Sequence, residues 1–166
     1  FKTIQSDFGN KEKQNFAKIK NNLQSIIIAM NRGSQTEAIA LLKESIILSP
    51  ADSQLHYLLG IAYTQLEQYE QAITQMIEAM ALDPKSHDAA FQLGLLYFNK
   101  KQFDKANQIW ESLINLPKNN PLHLFSLGLK YYTKNQLNQC ITLLEDGIKK
   151  NLNNPQLNSD MQKILL

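Results

Sequence analysis

Apolar and polar positions along this chain keep a helical rhythm, and that rhythm itself recurs. The pattern predicts a helix near 19–31 and a second near 36–48, joined by Arg32-Gly33-Ser34, with Gly33 suited to a left-handed helix end. Gly60, Gly94 and Gly128 are spaced by 34 residues, and Leu59, Leu93 and Leu127 keep the same interval. Tyr63, Tyr97 and Tyr131 form a third series, and Ala38, Ala72, Ala106 and Cys140 a fourth. Pro50 and Pro84 supply a fifth. Several position classes agreeing on one period mark an array of repeated units.

The residue types explain why a repeat needs them. A glycine inside a helix costs about 1 kcal/mol relative to alanine. Three in one phase therefore predict close approach of the first helix of each unit to its partner. The small residues from Ala38 to Cys140 predict the same closeness from the second helix. Large side chains at Tyr63, Tyr97, Tyr131 and Trp110 are expected to fill the space between neighbouring units. One helix pair is too thin to bury both of its faces, so stacking must supply the core.

Boundaries follow from caps and breakers. Repeats run over 19–52, 53–86, 87–120 and 121–154. Asp52 or Ser53 is expected to cap the second repeat, and Asp83-Pro84 to close it. Asn120-Pro121 and Asn154-Pro155 read as an N-cap followed by proline at the first helical position. Beyond Pro155, the stripe Leu157, Met161, Ile164 and Leu165 predicts a capping helix over 155–166. Residues 1–18 fall outside the period. Lys11 to Lys18 is expected to extend the first helix backward, with Asn10 as its cap. Phe1, Ile4, Phe8 and Phe16 make the segment too apolar for a solvated linker, so it is either an N-terminal cap or a docking tail. Because the chain opens on Phe1, it reads as a mature form or as a piece of a longer protein.

The array resembles the tetratricopeptide repeat, whose 34-residue pattern is W-x2-L-G-x2-Y, then A-x3-F, then P. L-G-x2-Y is complete at Leu59-Gly60-Tyr63, Leu93-Gly94-Tyr97 and Leu127-Gly128-Tyr131. A-x3-F appears as Ala38 with Leu42, Ala72 with Met76, Ala106 with Trp110, and Cys140 with Leu144. The tryptophan position holds His56, Ala90 and Leu124, and Ser25-Ile26 stands where the first repeat would have Leu-Gly. The resemblance implies an all-α, right-handed superhelical solenoid of antiparallel helix pairs. It also implies a concave surface lined by the first helices. Carried over position by position, that surface takes Tyr57, Ile61 and Thr64 from the second repeat. It takes Phe91, Leu95, Phe98 and Asn99 from the third, and Phe125, Leu129 and Tyr132 from the fourth. Tyr57, Phe91 and Phe125 would form an aromatic ladder within it.

Composition narrows the function. With 43% apolar and 19% charged residues and a net charge of +2, the chain fits an ordinary folded domain. Five prolines and six glycines are too few for the turns of an all-β fold. A single cysteine excludes an intrachain disulfide or a multi-cysteine zinc site. There is no phosphate loop, H-E-x-x-H or nucleophile elbow. His56, His87 and His123 sit at different phases of the repeat. No enzyme chemistry, cofactor or metal is therefore expected.

Charge is uneven: +3 over 1–20, −5 over 21–98 and +4 over 99–166. Leu23 and Ile27 replace the lysine and asparagine with which relatives clamp chaperone carboxylates, and Asp88 and Gln92 replace the next basic pair. The expected partner is thus a protein or peptide with hydrophobic anchors, such as an amphipathic helix, with self-association possible. Nucleic acid and a membrane span are not expected. An alternative is the accessory region of a longer enzyme, such as a glycosyl or sulfate transferase. A self-assembling structural protein is a third reading.

Overall fold

A computed structural model describes the backbone of residues 2–166 and the side chains from Gly9 onward. Every regular element among the described residues is an α-helix. Helices α1 (Lys2–Asn31), α2 (Gln35–Leu48), α3 (Ser53–Gln65) and α4 (Tyr69–Leu82) belong to one compact unit that ends at Lys85. The second unit, Ser86–Leu166, holds α5 (His87–Asn99), α6 (Phe103–Ile114), α7 (Pro121–Thr133), α8 (Leu137–Lys150) and α9 (Pro155–Leu165). Within the first unit α2 packs on both α1 and α3, and α3 on α4; within the second α6 packs on both α5 and α7, and α9 on α8.

One turn is used four times. Gly33, Glu67, Lys101 and Asn135 all have positive φ, between 59° and 80°, and stand 34 residues apart. The amide after each donates back across the turn: Ser34 to Ala29, Gln68 to Tyr63, Gln102 to Tyr97 and Gln136 to Tyr131, at 2.8–2.9 Å. This six-to-one bond with a left-handed residue is the Schellman ending of a helix. It passes the chain directly into the second helix of each pair. Sequence reasoning found the turn at Gly33 but not at Glu67 or Lys101, since glutamate and lysine carry no turn signal.

First helices start differently, on a side chain. Asp52 accepts from the Gln54 amide, Ser86 from Ala89, Asn120 from Leu122 and Asn154 from Leu157. Each satisfies an amide that the helix start leaves without a partner, typically worth about 1 kcal/mol. Pro121 and Pro155 then occupy first-turn positions, where a missing N–H costs nothing. Asn10 is not a cap: α1 runs through it without a break, because Lys2–Asn31 contains no proline and its one glycine, Gly9, does not interrupt it. Phe1 and the side chains of Ile4 and Phe8 lie outside the described residues. Phe16 is exposed.

The glycines sit where the pattern requires them. A Cβ on Gly60 would fall 2.8 Å from Met76 Cε, and one on Gly128 3.0 Å from Leu144 Cδ2. On Gly94 it would overlap the Trp110 indole. Met76, Trp110 and Leu144 occupy one repeat position, so the glycine of the first helix receives the large side chain of the second. Trp110 therefore fills the interior of its own helix pair, where sequence reasoning had it between neighbouring units.

Candidate binding faces

The first helices carry the residues expected to line a binding surface, and the two units treat them differently. In the first unit Tyr57, Ile61 and Thr64 lie along one side of α3, each partly exposed. Thr64 Oγ1 is tied to the Gly60 carbonyl at 2.8 Å, leaving its methyl for contact. Leu23 and Ile27 hold the corresponding positions of α1; Leu23 is partly exposed and Ile27 is 51% exposed.

In the second unit most of the expected strip is core. Phe91 is 1% exposed, Phe125 and Leu129 are fully buried, and Leu95 and Phe98 nearly so. Phe91 stacks on Trp110 with centroids 5.6 Å apart and meets Phe125 at 6.1 Å. The Trp110 indole N–H donates to the Phe91 carbonyl at 3.2 Å. On the other side, a Cβ on Gly147 would come within 2.5 Å of Phe125 Cε1. The expected anchors Phe91 and Phe125 thus hold α5, α6, α7 and α8 together. They cannot meet a partner in this arrangement, and the sequence placement of their rings on an open face is corrected. Large aromatic rings at this position reach the neighbouring first helix and bury each other.

What remains accessible is the C-terminal edge of that strip. Tyr132 is 39% exposed, and its ring meets Phe98 edge-on with centroids 5.3 Å apart. Phe98 is held from below by Trp110 at 6.0 Å and from the side by Phe103 at 5.3 Å. Asn99 is exposed beside it. Asn107 of α6 donates to Thr133 Oγ1 at 3.2 Å, fixing α6 against the end of α7. Phe103 and Asn107 were missed in the sequence, because they lie on a second helix and the resemblance assigns only first helices to the surface. Their i, i+4 spacing was the available signal.

Two histidines tie neighbouring segments together. His56 is buried, with Nε2 2.8 Å from the Pro50 carbonyl and Nδ1 2.8 Å from the Gln75 amide. It fills the family's tryptophan position and ties α3 to the preceding turn and to α4. His123 Nδ1 donates to the Ile114 carbonyl at 2.8 Å. Burial pushes the Cys140 thiol above its ordinary value, which keeps it protonated and a poor nucleophile. Burial also raises Asp160 of α9, against the lowering effects of Gln156 and Lys163. Among the described residues no three His, Cys, Asp or Glu side chains converge as metal ligands. None of the described helices is long and apolar enough to cross a membrane.

Comparison with known proteins agrees with this architecture. A TPR repeat family model matches residues 62–101, and a tetratricopeptide-repeat model matches 88–119. A crystal structure of MamA is 26% identical, with a TM-score of 0.65, over 80% of this chain and 77% of that one. MamA from Desulfovibrio magneticus RS-1, from residue 41 to its end, is 25% identical with a TM-score of 0.67, over 81% and 76%. A further MamA crystal structure, at 24% identity and a TM-score of 0.64 over 89% and 90%, shares the fold. No curated protein matches the sequence.

Proposed function

The chain is a tetratricopeptide-repeat protein and a protein-interaction scaffold, and on that premise we propose that it captures a hydrophobic-anchored peptide or helix on its first-helix faces. The observation carrying this reading is Tyr132, a ring left 39% exposed while braced edge-on against buried Phe98. A braced aromatic loses little rotamer freedom on binding, which makes it an efficient anchor. Asn99, exposed and next to Phe98 at the end of α5, offers an amide for a peptide backbone. In the first unit Tyr57, Ile61 and Thr64 would offer a similar, separately addressable face. Phe91, Leu95, Phe98, Phe125 and Leu129 act behind the second unit's surface, as the support that fixes it.

Selection from a displayed peptide library tests the reading. Peptides with large apolar anchors should be enriched, and Tyr132→Ala or Tyr57→Ala should weaken them by about tenfold or more with unchanged circular dichroism. Enrichment that is indifferent to both substitutions would sink it.

A further inference from the structure

The excess of positive charge over residues 99–166 is gathered rather than spread. Between Glu111 and Glu145 the chain carries no aspartate or glutamate, and Asp104 is the single acid from Tyr97 to Gln108. Lys150 is paired with Asp146 at 3.0 Å, and Lys163 acts on Asp160 within α9. Lys101, Lys105 and Lys134 are exposed, and all three belong to the edge where α5 turns into α6 and α7 into α8.

Side-chain contacts hold these two turns side by side. Phe98 of α5 meets Phe103 of α6 and Tyr132 of α7, each at 5.3 Å, and Asn107, one helical turn beyond Phe103, donates to Thr133 at 3.2 Å. Lys134 follows Thr133 directly, so it stands next to the start of α6. A pocket of about 350 Å³ opens there, lined by Lys101, Gln102, Phe103, Asp104 and Lys105. Lys105 folds over the Tyr97 ring, with Nζ 5.4 Å from its centroid, which steadies one wall. Packing does not choose these lysines. The places of Lys101, Lys105 and Lys134 hold Glu67, Gln71 and Leu66 in the second repeat, and Gly33, Glu37 and Arg32 in the first. The same turn therefore folds with acids, amides or apolar residues where this edge has cations.

The chemistry of the edge decides the occupant. Three cations around a pocket with a phenylalanine in its wall suit an apolar side chain flanked by carboxylates. Asp104, in the same wall, accepts from a peptide N–H and repels the closely spaced phosphates of a nucleic acid. A bilayer meets the same repulsion, and the outer face of α6, with Asp104, Lys105, Gln108, Glu111 and Ser112 exposed, is too polar to insert. We infer that this turn edge docks an acidic segment of a partner protein. An apolar residue of that segment enters the pocket against Phe103, and aspartates or glutamates on either side of it meet Lys101, Lys105 and Lys134. The edge is built from turns and the start of a second helix, so it is distinct from the first-helix faces and does not rest on them.

The probe is a labelled synthetic peptide of aspartates and glutamates around a central leucine, compared with the same peptide carrying asparagines and glutamines. By fluorescence anisotropy, the acidic peptide should bind the full chain at least about tenfold tighter than the amide peptide, with affinity falling as salt rises. Serine in place of its leucine should weaken it about tenfold. The K101E/K134E variant should weaken the acidic peptide at least about tenfold and take up a lysine-bearing counterpart instead. Glu67 already holds the Lys101 place in the second repeat with the same backbone conformation, so the turn accepts that change. Should the variant lose its helical circular dichroism, K101Q/K134Q makes the same comparison with the acidic peptide. Tyr57→Ala should leave binding unchanged. Equal binding of the acidic and amide peptides, or of the acidic peptide to parent and variant, would overturn the proposal. So would no binding at all, or tighter binding of a single-stranded oligonucleotide or of phosphatidylserine vesicles than of the acidic peptide.

Discussion

Two repeat positions separate the halves of this molecule. At the ninth position of the first helix stand Ile61 in the first unit and Leu129 in the second; at the fifth stand Tyr57 and Phe125. The position sets which way a side chain leaves its helix. It does not set what that side chain meets. In the second unit Phe91 and Phe125 span the gap between first helices and touch, and Trp110 closes behind them. In the first unit Tyr57 and Ile61 stay partly in solvent. The same register serves as core in one place and as surface in another.

The sharpest way to break that contrast is to truncate both ninth-position aliphatics. Leu129→Ala removes a fully buried side chain and should cost about 2–5 kcal/mol, set by how far the site collapses. Ile61→Ala, partly solvated already, should cost about 1 kcal/mol or less. Urea unfolding followed by the fluorescence of Trp110, the single tryptophan, reads the second unit, and circular dichroism reads the whole chain. Similar costs for the two changes would show that the two positions share one environment.

Much of this was legible in the residues, for physical reasons. The 34-residue period is a packing period. Gly94, Tyr97 and Ala106 announce it because only small or large side chains fit their places. Asp52, Asn120 and Asn154 announce helix starts because their short side chains reach the free amides. The binding face was harder to read. Phe91 and Phe125 were placed on it by position alone, and burial depends on neighbours that the pattern does not list. The left-handed residues Glu67 and Lys101 were invisible because the turn tolerates them without requiring them. The length of α1 was half visible, in the extension seen from Lys11 to Lys18.

A second test grades the glycines, which share a position but face different partners. Gly94→Ala would drive a methyl into Trp110, a fully buried ring whose N–H is already committed to the Phe91 carbonyl. Overpacking of this kind costs about 1–3 kcal/mol, outweighing the roughly 1 kcal/mol that alanine returns as helix propensity. Gly60→Ala meets only the flexible end of Met76, which can swing aside. Gly128→Ala, with Leu144 Cδ2 at 3.0 Å, should come out close to neutral. Thermal melts should therefore rank Gly94→Ala lowest. Equal melting temperatures for the three would mean that the second helices retreat freely, and that the tryptophan does not lock its pair.

The smallest effect lies in the turns, where both units use one geometry with different residues. Glu67 and Lys101 hold φ near 60°, a conformation that costs an L-residue roughly 1–2 kcal/mol and glycine almost nothing. Glycine also loosens the unfolded chain, which returns about 0.4–1 kcal/mol of that gain. Lys101→Gly and Glu67→Gly should each stabilise the fold by a few tenths of a kcal/mol, up to about 1 kcal/mol. Asn135→Gly should gain less, since asparagine tolerates the left-handed region. Gly33, already at φ 80°, should lose about as much when changed to alanine as Lys101 gains when changed to glycine. Differential scanning calorimetry can separate these opposite signs. A Lys101→Gly chain that melts below the parent would show that its side chain contributes more in that turn than its backbone loses.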